Sequence, residues 1–171
     1  FLPFGIKPRE NALCPHCKSL ERHRLLWLYL KDKTDFFRKK LKVLDVGPTE
    51  GLSKKYQSLN NIEYLSIDLS SPLAMKKMDL TSLNLEDNAF DCLFCYHVLE
   101  HIPDDRKAIR ELYRVLKNGG WAIVQVPIQA GLQKTLEDPR IIDPAERLRA
   151  FGQADHVRCY GLDYRERLEE A

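Results

Sequence analysis

The chain of 171 residues has no long apolar run. Its most leucine-rich stretch, Leu25 to Leu30, falls far short of the roughly 20 residues a bilayer-spanning helix needs. No charged segment followed by an apolar one opens the sequence, so no secretory leader is read and a cytoplasmic location is the default expectation. There is no excess of one charge either. Twenty-seven basic against 25 acidic residues leave a formal charge of +2, too balanced to indicate a nucleic-acid or membrane partner. Five cysteines, scattered among a C-x-x-C, an apolar segment and the C-terminal region, are not the even framework of a secreted disulfide protein. Internal repeats and low-complexity tracts are missing as well.

What is present is an ordinary globular composition, 44% hydrophobic and 30% charged, at a length that suits one compact domain with small attached elements. Residues 1–40 read as a cysteine-containing extension, with Cys14-Pro15-His16-Cys17, an N-cap at Ser19 and a helix from Leu20 to Lys31 that packs Leu25, Leu26, Leu28 and Tyr29 inward. Lys33 to Lys40 reads as a charged connector. From residue 41 onward short apolar segments alternate with amphipathic ones. Strands are expected at Lys42–Val46, Ile62–Ile67, Lys77–Leu80, Asp91–Tyr96 and Trp121–Val126. Helices are expected at Leu52–Leu59, from an Asp104 cap to Lys117 with Asn118-Gly119-Gly120 as its stop, and at Tyr164–Glu170. Such alternation predicts an α/β fold with a mostly parallel sheet covered on both faces. Residues 127–161 show weak periodicity and read as a long excursion over the strand ends.

Polar groups collect where these strands end. Asp45 ends the first, and Gly47 and Gly51 frame a turn where backbone can approach a ligand closely. Asp68 ends the second, where a carboxylate can accept both hydroxyl protons of a ribose. Met78-Asp79-Leu80 follows the third, offering a carboxylate to an exocyclic amine and an apolar face to a base. Cys95-Tyr96-His97 ends the fourth. Each group also has a plainer use: Asp45 and Asp68 can cap local backbone, Asp79 can belong to an ordinary polar turn, and Cys92 and Cys95 suit burial on opposite faces of a strand.

From Lys42 to Pro127, about half of the chain, the sequence resembles the class I S-adenosylmethionine-dependent methyltransferases. VLDVGPTEG resembles their first motif, YLSIDLS the acidic end of their second strand, and MDLTSL the adenine-contacting end of the third. FDCLFCYHVLEHIPDDRKAIRELYRVLKNGGWAIVQVP resembles their fourth motif with the helix and strand that follow. The resemblance implies a Rossmann-like, doubly wound, three-layer fold for residues 41–171, here without its C-terminal β-hairpin. It implies S-adenosylmethionine as cofactor and S-adenosylhomocysteine as product. Asp45, Gly47 and Gly51 would then surround the methionine moiety, Asp68 the ribose, Asp79 and Leu80 the adenine, with Tyr96 beside them. One departure is Pro48-Thr49-Glu50, where the family often has a further glycine.

A sulfonium methyl is already activated, so alignment and exclusion of water are the main requirements, and a base matters only for an acceptor that holds its proton. His97 and His156 are the catalytic candidates, with Arg158 and Tyr160 near an anionic or planar acceptor; His101 orients the helix start. Hydrogen bonding to cofactor or backbone is the plainer use of His97, and a structural lid that of the 151–161 segment. The expected substrate is a small molecule. CPHCKSLERHRLLWLYL resembles a zinc-ribbon-like extension of certain bacterial methyltransferases, which carries a second C-x-x-C upstream. Cys14 and Cys17 alone do not close a zinc site, so no metal site is assigned and zinc would require a complete ribbon. Glu21-Arg22-His23-Arg24 could touch a substrate carboxylate or phosphate, and reads first as a solvated helix face. A non-catalytic nucleoside-binding or adaptor module and an NAD-dependent dehydrogenase are the competing functions, the latter lacking a G-x-G-x-x-G turn. Phe1 is no initiator methionine and the sequence stops within a helix, so natural sequence is expected beyond both ends.

Overall fold

The computed structural model describes residues 1–5 and 8–171. In chain order the elements are β1 (Leu2–Phe4), β2 (Arg9–Leu13), α1 (Glu21–Lys33), β3 (Leu41–Val46), α2 (Glu50–Gln57), β4 (Ile62–Asp68), β5 (Lys76–Lys77), β6 (Phe90–Tyr96), a 3-10 turn (Leu99–His101), α3 (Asp105–Val115), β7 (Leu116–Gln125), β8 (Leu136–Glu137), α4 (Pro144–Phe151), β9 (Arg158–Cys159) and α5 (Tyr164–Glu169). Five strands form one parallel sheet in the order β5-β4-β3-β6-β7. The order reverses direction at β3, so this is the expected doubly wound arrangement, and β7 is an edge strand among the described residues. The β1–β2 and β8–β9 pairs are small antiparallel ribbons outside it.

Strand alternation sends side chains to two cores. Leu44, Val46, Leu93 and Cys95 face one core with Ile109, Leu112, Val115 and Tyr164 of α3 and α5. Val43, Cys92, Phe94 and Tyr96 face the other with Leu30 of α1, Leu52 and Tyr56 of α2, and Phe36. Cys92 and Cys95 are therefore buried on opposite faces, and burial pushes the Cys92 thiol up to about 12.

Several expected boundaries move. α1 begins after Leu20, not Ser19: the Leu20 amide donates to His23 Nδ1 at 3.2 Å, while Ser19 Oγ meets Cys17 Sγ at 3.1 Å. Only Leu30 of its leucines is buried, whereas Leu25, Leu28 and Tyr29 are exposed. The charged connector hides Phe36, which is fully buried and lies edge-on to Tyr56; burial of such a ring is worth about 2 kcal/mol. α3 stops at Val115 because Leu116 is already extended, and Asn118-Gly119-Gly120 lies inside β7. A Cβ on Gly120 would come within 2.9 Å of the Asp91 carbonyl oxygen, so the glycine permits close strand approach rather than ending a helix. β5 is shorter than expected because Asp79 Oδ1 accepts from the Thr81 amide and hydroxyl, turning the chain. Within the 127–161 excursion, α4 is a helix that weak periodicity concealed. Its signals are the Asp143 cap accepting from the Ala145 and Glu146 amides, Pro144 in the first turn and left-handed Gly152 at the end.

The excursion is tied down by buried charge. Asp105 accepts from Tyr160 Oη (2.6 Å), Arg167 Nε (2.6 Å) and Arg167 Nη2 (2.7 Å). Glu137 pairs with Arg158 at 2.9 Å and with Arg167 at 2.8 Å. Arg158 also donates to the Leu99 and Pro103 carbonyls, both at 2.8 Å. Ion pairs this buried gain little over apolar packing while intact, but stranding one partner is costly. Asp105→Ala is expected to lower the unfolding free energy in urea titrations by about 3–5 kcal/mol, and Tyr160→Phe by only about 1–2 kcal/mol; an Asp105→Ala loss below that of Tyr160→Phe would show that the network does not hold the segment.

Asp45 carries a second buried charge. Its side chain turns from β3 toward the aromatic core, where burial pushes its carboxyl up to about 7 although Tyr64 Oη, donating at 2.6 Å, favours the ionised form. With its folded value above the usual 3.8, its contribution to stability is whole below about pH 4 and is lost as pH rises through about 7. Asp45→Asn keeps the acceptor for Tyr64 without the charge. The variant should gain on the wild type by up to about 4 kcal/mol between about pH 4 and 8, measured by denaturant titration across pH; a difference that does not change with pH would exclude ionisation as its source.

Candidate functional site

Because β3, β4 and β6 run parallel and in register, with Val46 opposite both Ile67 and Cys95, their carboxyl ends finish on one level. The loops that leave them surround a cleft of about 670 Å³, a size suited to a small molecule or cofactor. Its walls are Val46 to Thr49 after β3, Ile67 to Ser70 after β4, Met78 to Leu80 after β5, Tyr96 to Val98 after β6, His101 and Ile102, with Arg22 and His23 of α1 and Asp155 opposite.

Gly47, Asp68, Asp79, Leu80, Tyr96 and His97 thus share one cleft, as the sequence predicts. Gly47 has φ +70°, and a Cβ there would meet Val98 Cγ2 at 2.6 Å, so only glycine fits this turn. Asp68 Oδ1 accepts from the Ser70 and Ser71 amides, both at 2.7 Å, which fixes the carboxylate at the mouth of the loop. Asp79 is held in the same way through Oδ1 by Thr81. In both residues these turn bonds engage Oδ1, leaving Oδ2 without a recorded hydrogen bond among the described residues. His97 sits at φ +55°, an uncommon conformation for a residue other than glycine, anchored by its amide donating to the Gln125 carbonyl at 2.9 Å. Its Nδ1 lies 3.2 Å from Glu100 Oε1.

Three expected site residues are placed elsewhere. Asp45 faces Tyr64 in the aromatic core, because it alternates with Leu44 and Val46, which point to the other core. Gly51 meets the cysteine turn: a Cβ there would lie 2.4 Å from the Cys17 carbonyl oxygen. Its lack of a side chain serves packing between α2 and the N-terminal segment. His156 is buried behind His101, their rings 4.8 Å apart and perpendicular, and does not line the cleft. A general base must reach the proton it removes, so this position does not suit that role.

The cleft also contains groups that were not among the expected site residues. Arg22 and His23 line it, so the ERHR segment is not a solvated face at these two positions. Burial, with the nearby Arg22 charge, lowers His23 to about 4; the neutral ring can therefore accept from the Leu20 amide while standing at the cleft. Thr49 takes the position of the missing glycine, and its buried Oγ1 has no hydrogen-bond partner among the described residues. Side-chain identity alone could not place these, since the position of α1 at the strand ends goes with the contact of the Cys17 carbonyl on Gly51, between segments far apart in the chain.

Cys14 and Cys17 are free thiols. The Ser19 hydroxyl beside Cys17 lowers its thiol to about 7. No third donor joins them among the described residues, whereas Glu100, His101 and His156 do gather within metal-ligand reach of one another. A larger apolar groove of about 890 Å³ follows the β7 edge between α1 and α3, and Arg22 and Tyr96 border both it and the cleft. No helix among the described residues is long and apolar enough to cross a membrane.

Residues 44–124, just under half of the chain, match the family described as a methyltransferase domain. A ubiquinone biosynthesis O-methyltransferase of Chromobacterium violaceum is 32% identical over 97 residues, 47% of this chain and 41% of that protein. An uncharacterised protein of Methanocaldococcus jannaschii is 36% identical over 112 residues, 62% of this chain and 47% of that one. The chain spans less than half the length of these curated relatives. Among solved structures, a candidate sarcosine dimethylglycine methyltransferase from Galdieria sulphuraria superposes with a TM-score of 0.63 at 20% identity, covering 90% of this chain and 60% of that one. The 4+2 cyclase SpnF gives 0.61 at 22% identity, covering 86% and 55%. At these identities the structures share the fold, and the fold carries more than one chemistry. The family match lies on the strand ends that build the cleft, so residues 44–124 are similar to a methyltransferase domain in the same segment that carries the site.

Proposed function

We propose that the chain transfers a methyl group from S-adenosylmethionine to a small-molecule acceptor, in a reducing compartment such as the cytoplasm where its five free thiols persist. The observation that carries this reading is the shared cleft with Asp68 at one wall, Asp79 and Leu80 at another, and side-chain-free Gly47 between β3 and β6. Asp68 Oδ2 is available to ribose hydroxyls, Asp79 to an adenine amine, and Leu80 to the base face. Arg22 supplies a fixed positive charge for an amino-acid carboxylate, and the Thr49 hydroxyl and the amides opening α2 offer further bonds to it.

The cofactor supplies an activated methyl on a sulfonium sulfur. The protein's part is then to hold the acceptor in line with it and keep water out, which accounts for a cleft walled by α1 and the 155 loop. His97 stands after β6 at the level of the other strand ends and is the candidate base for an acceptor that must lose a proton.

Isothermal calorimetry tests the reading directly: S-adenosylhomocysteine should bind and NAD should not. Asp68→Ala should weaken binding by at least tenfold, the scale of about 1.4 kcal/mol for a charge-assisted pair of hydrogen bonds. Equal affinity in Asp68→Ala and wild type would remove the cleft as the cofactor site. With an acceptor in hand, His97→Gln should lower kcat and leave S-adenosylhomocysteine affinity within about threefold; an unchanged kcat would deny His97 the role of base.

A further inference from the structure

We propose that Glu100, His101 and His156 form a binding site for a divalent transition-metal ion at the rim of the cleft. One ligand atom from each lies within 4.8 Å of the others. A tetrahedral ion with bonds near 2.1 Å would hold its ligands about 3.4 Å apart, so closure requires side-chain movements of about 1 Å. The donor set, two imidazoles and one carboxylate, suits zinc and its first-row neighbours rather than calcium or magnesium.

The carboxylate is the strongest indication. Glu100 is only 1% exposed, yet its Oε2 has no hydrogen-bond partner among the described residues. A carboxylate oxygen left this way carries a desolvation cost with no hydrogen bond to offset it. Among the described residues no Lys or Arg forms a salt bridge with Glu100; its side-chain partner is His97, at Oε1, and the Arg22 charge acts on it only from farther off. A cation between Glu100 and the two imidazoles would answer that cost.

The outer partners are also those of liganding histidines, whose second ring nitrogen is ordinarily held by an oxygen. His101 Nδ1 lies 3.3 Å from Asp155 Oδ2 and 3.3 Å from the Asp155 carbonyl oxygen, leaving Nε2 as the donor. The Phe151 carbonyl faces the His156 ring. The backbone holds the two halves together: the Val157 amide donates to the Glu100 carbonyl at 2.9 Å, and Arg158 ties the Leu99 carbonyl. Three protein ligands leave a coordination position open. Since His101 also lines the cleft, an oxygen-bearing acceptor, a hydroxyl or carboxylate, is the ligand class this position would take; that last step rests on the methyl-transfer reading.

The test uses the chain with Cys14→Ser and Cys17→Ser, so that thiolates cannot compete, after treatment with chelator. Titration with cobalt(II) should produce visible d–d absorption saturating at one equivalent and displaced by zinc, as the order of divalent affinities requires. Glu100→Gln and His101→Ala should each weaken cobalt binding at least tenfold. His101 is partly exposed, so its variant is informative even if His156→Ala or Glu100→Gln fails to fold by circular dichroism. Absence of stoichiometric cobalt binding, or unchanged affinity in His101→Ala, would overturn the site. Calorimetry with S-adenosylhomocysteine on the metal-free protein separates the two readings: loss of that binding removes the cofactor assignment and leaves the cobalt titration to decide the ion.

Discussion

The parallel register of β3 between β4 and β6 is the constraint on which the rest depends. Pairing Val46 with both Ile67 and Cys95 brings three loops out at one height, and the reversal of strand order at β3 leaves a crevice between them. A slip of one residue would exchange every side chain between the two cores. It would turn Asp45 into the cleft and move Val46 into the aromatic cluster. The hydrophobic partition of the strands therefore fixes the register, and the register fixes which groups face the cleft.

The N-terminal segment is part of the same construction. Phe36 and Leu30 belong to one core with Val43, Tyr56 and Phe94, and the Cys17 carbonyl presses on Gly51 at the start of α2. The cysteine turn thus sets where α1 enters, and α1 in turn presents Arg22 and His23 to the cleft. A residue whose chemistry suggests ligand binding can be required instead for the close approach of two backbones. Gly51 is the case here, and the guanidinium at the cleft comes from α1.

Charge is buried in two different ways. Around Asp105 the acids and guanidinium groups satisfy one another and fasten the loop that follows β7. At Asp45 and Glu100 the carboxylates form no salt bridge to Lys or Arg among the described residues, and each carries a different consequence. Asp45 raises its affinity for a proton beneath Tyr64, while Glu100 keeps an unanswered oxygen beside two imidazoles. Asp45 stands one residue before the end of β3 and Glu100 in the 3-10 turn after β6, where the backbone leaves its ladder and side chains converge from several elements.

The amino-acid sequence by itself determined the strands, their alternation with helices, the parallel sheet, and Gly47, Asp68, Asp79, Leu80, Tyr96 and His97 as neighbours, because each is a local pattern whose period or position at a strand end dictates direction. Tertiary structure alone decided that Asp45 meets Tyr64 and Gly51 the cysteine turn, that Arg22, His23 and Thr49 face the cleft, and that His156 stands behind His101 with Glu100. Those placements depend on contacts between segments far apart in the chain, on Cys17 against Gly51 and Val157 against Glu100, and no periodicity or spacing along one segment records which distant backbone will lie across it.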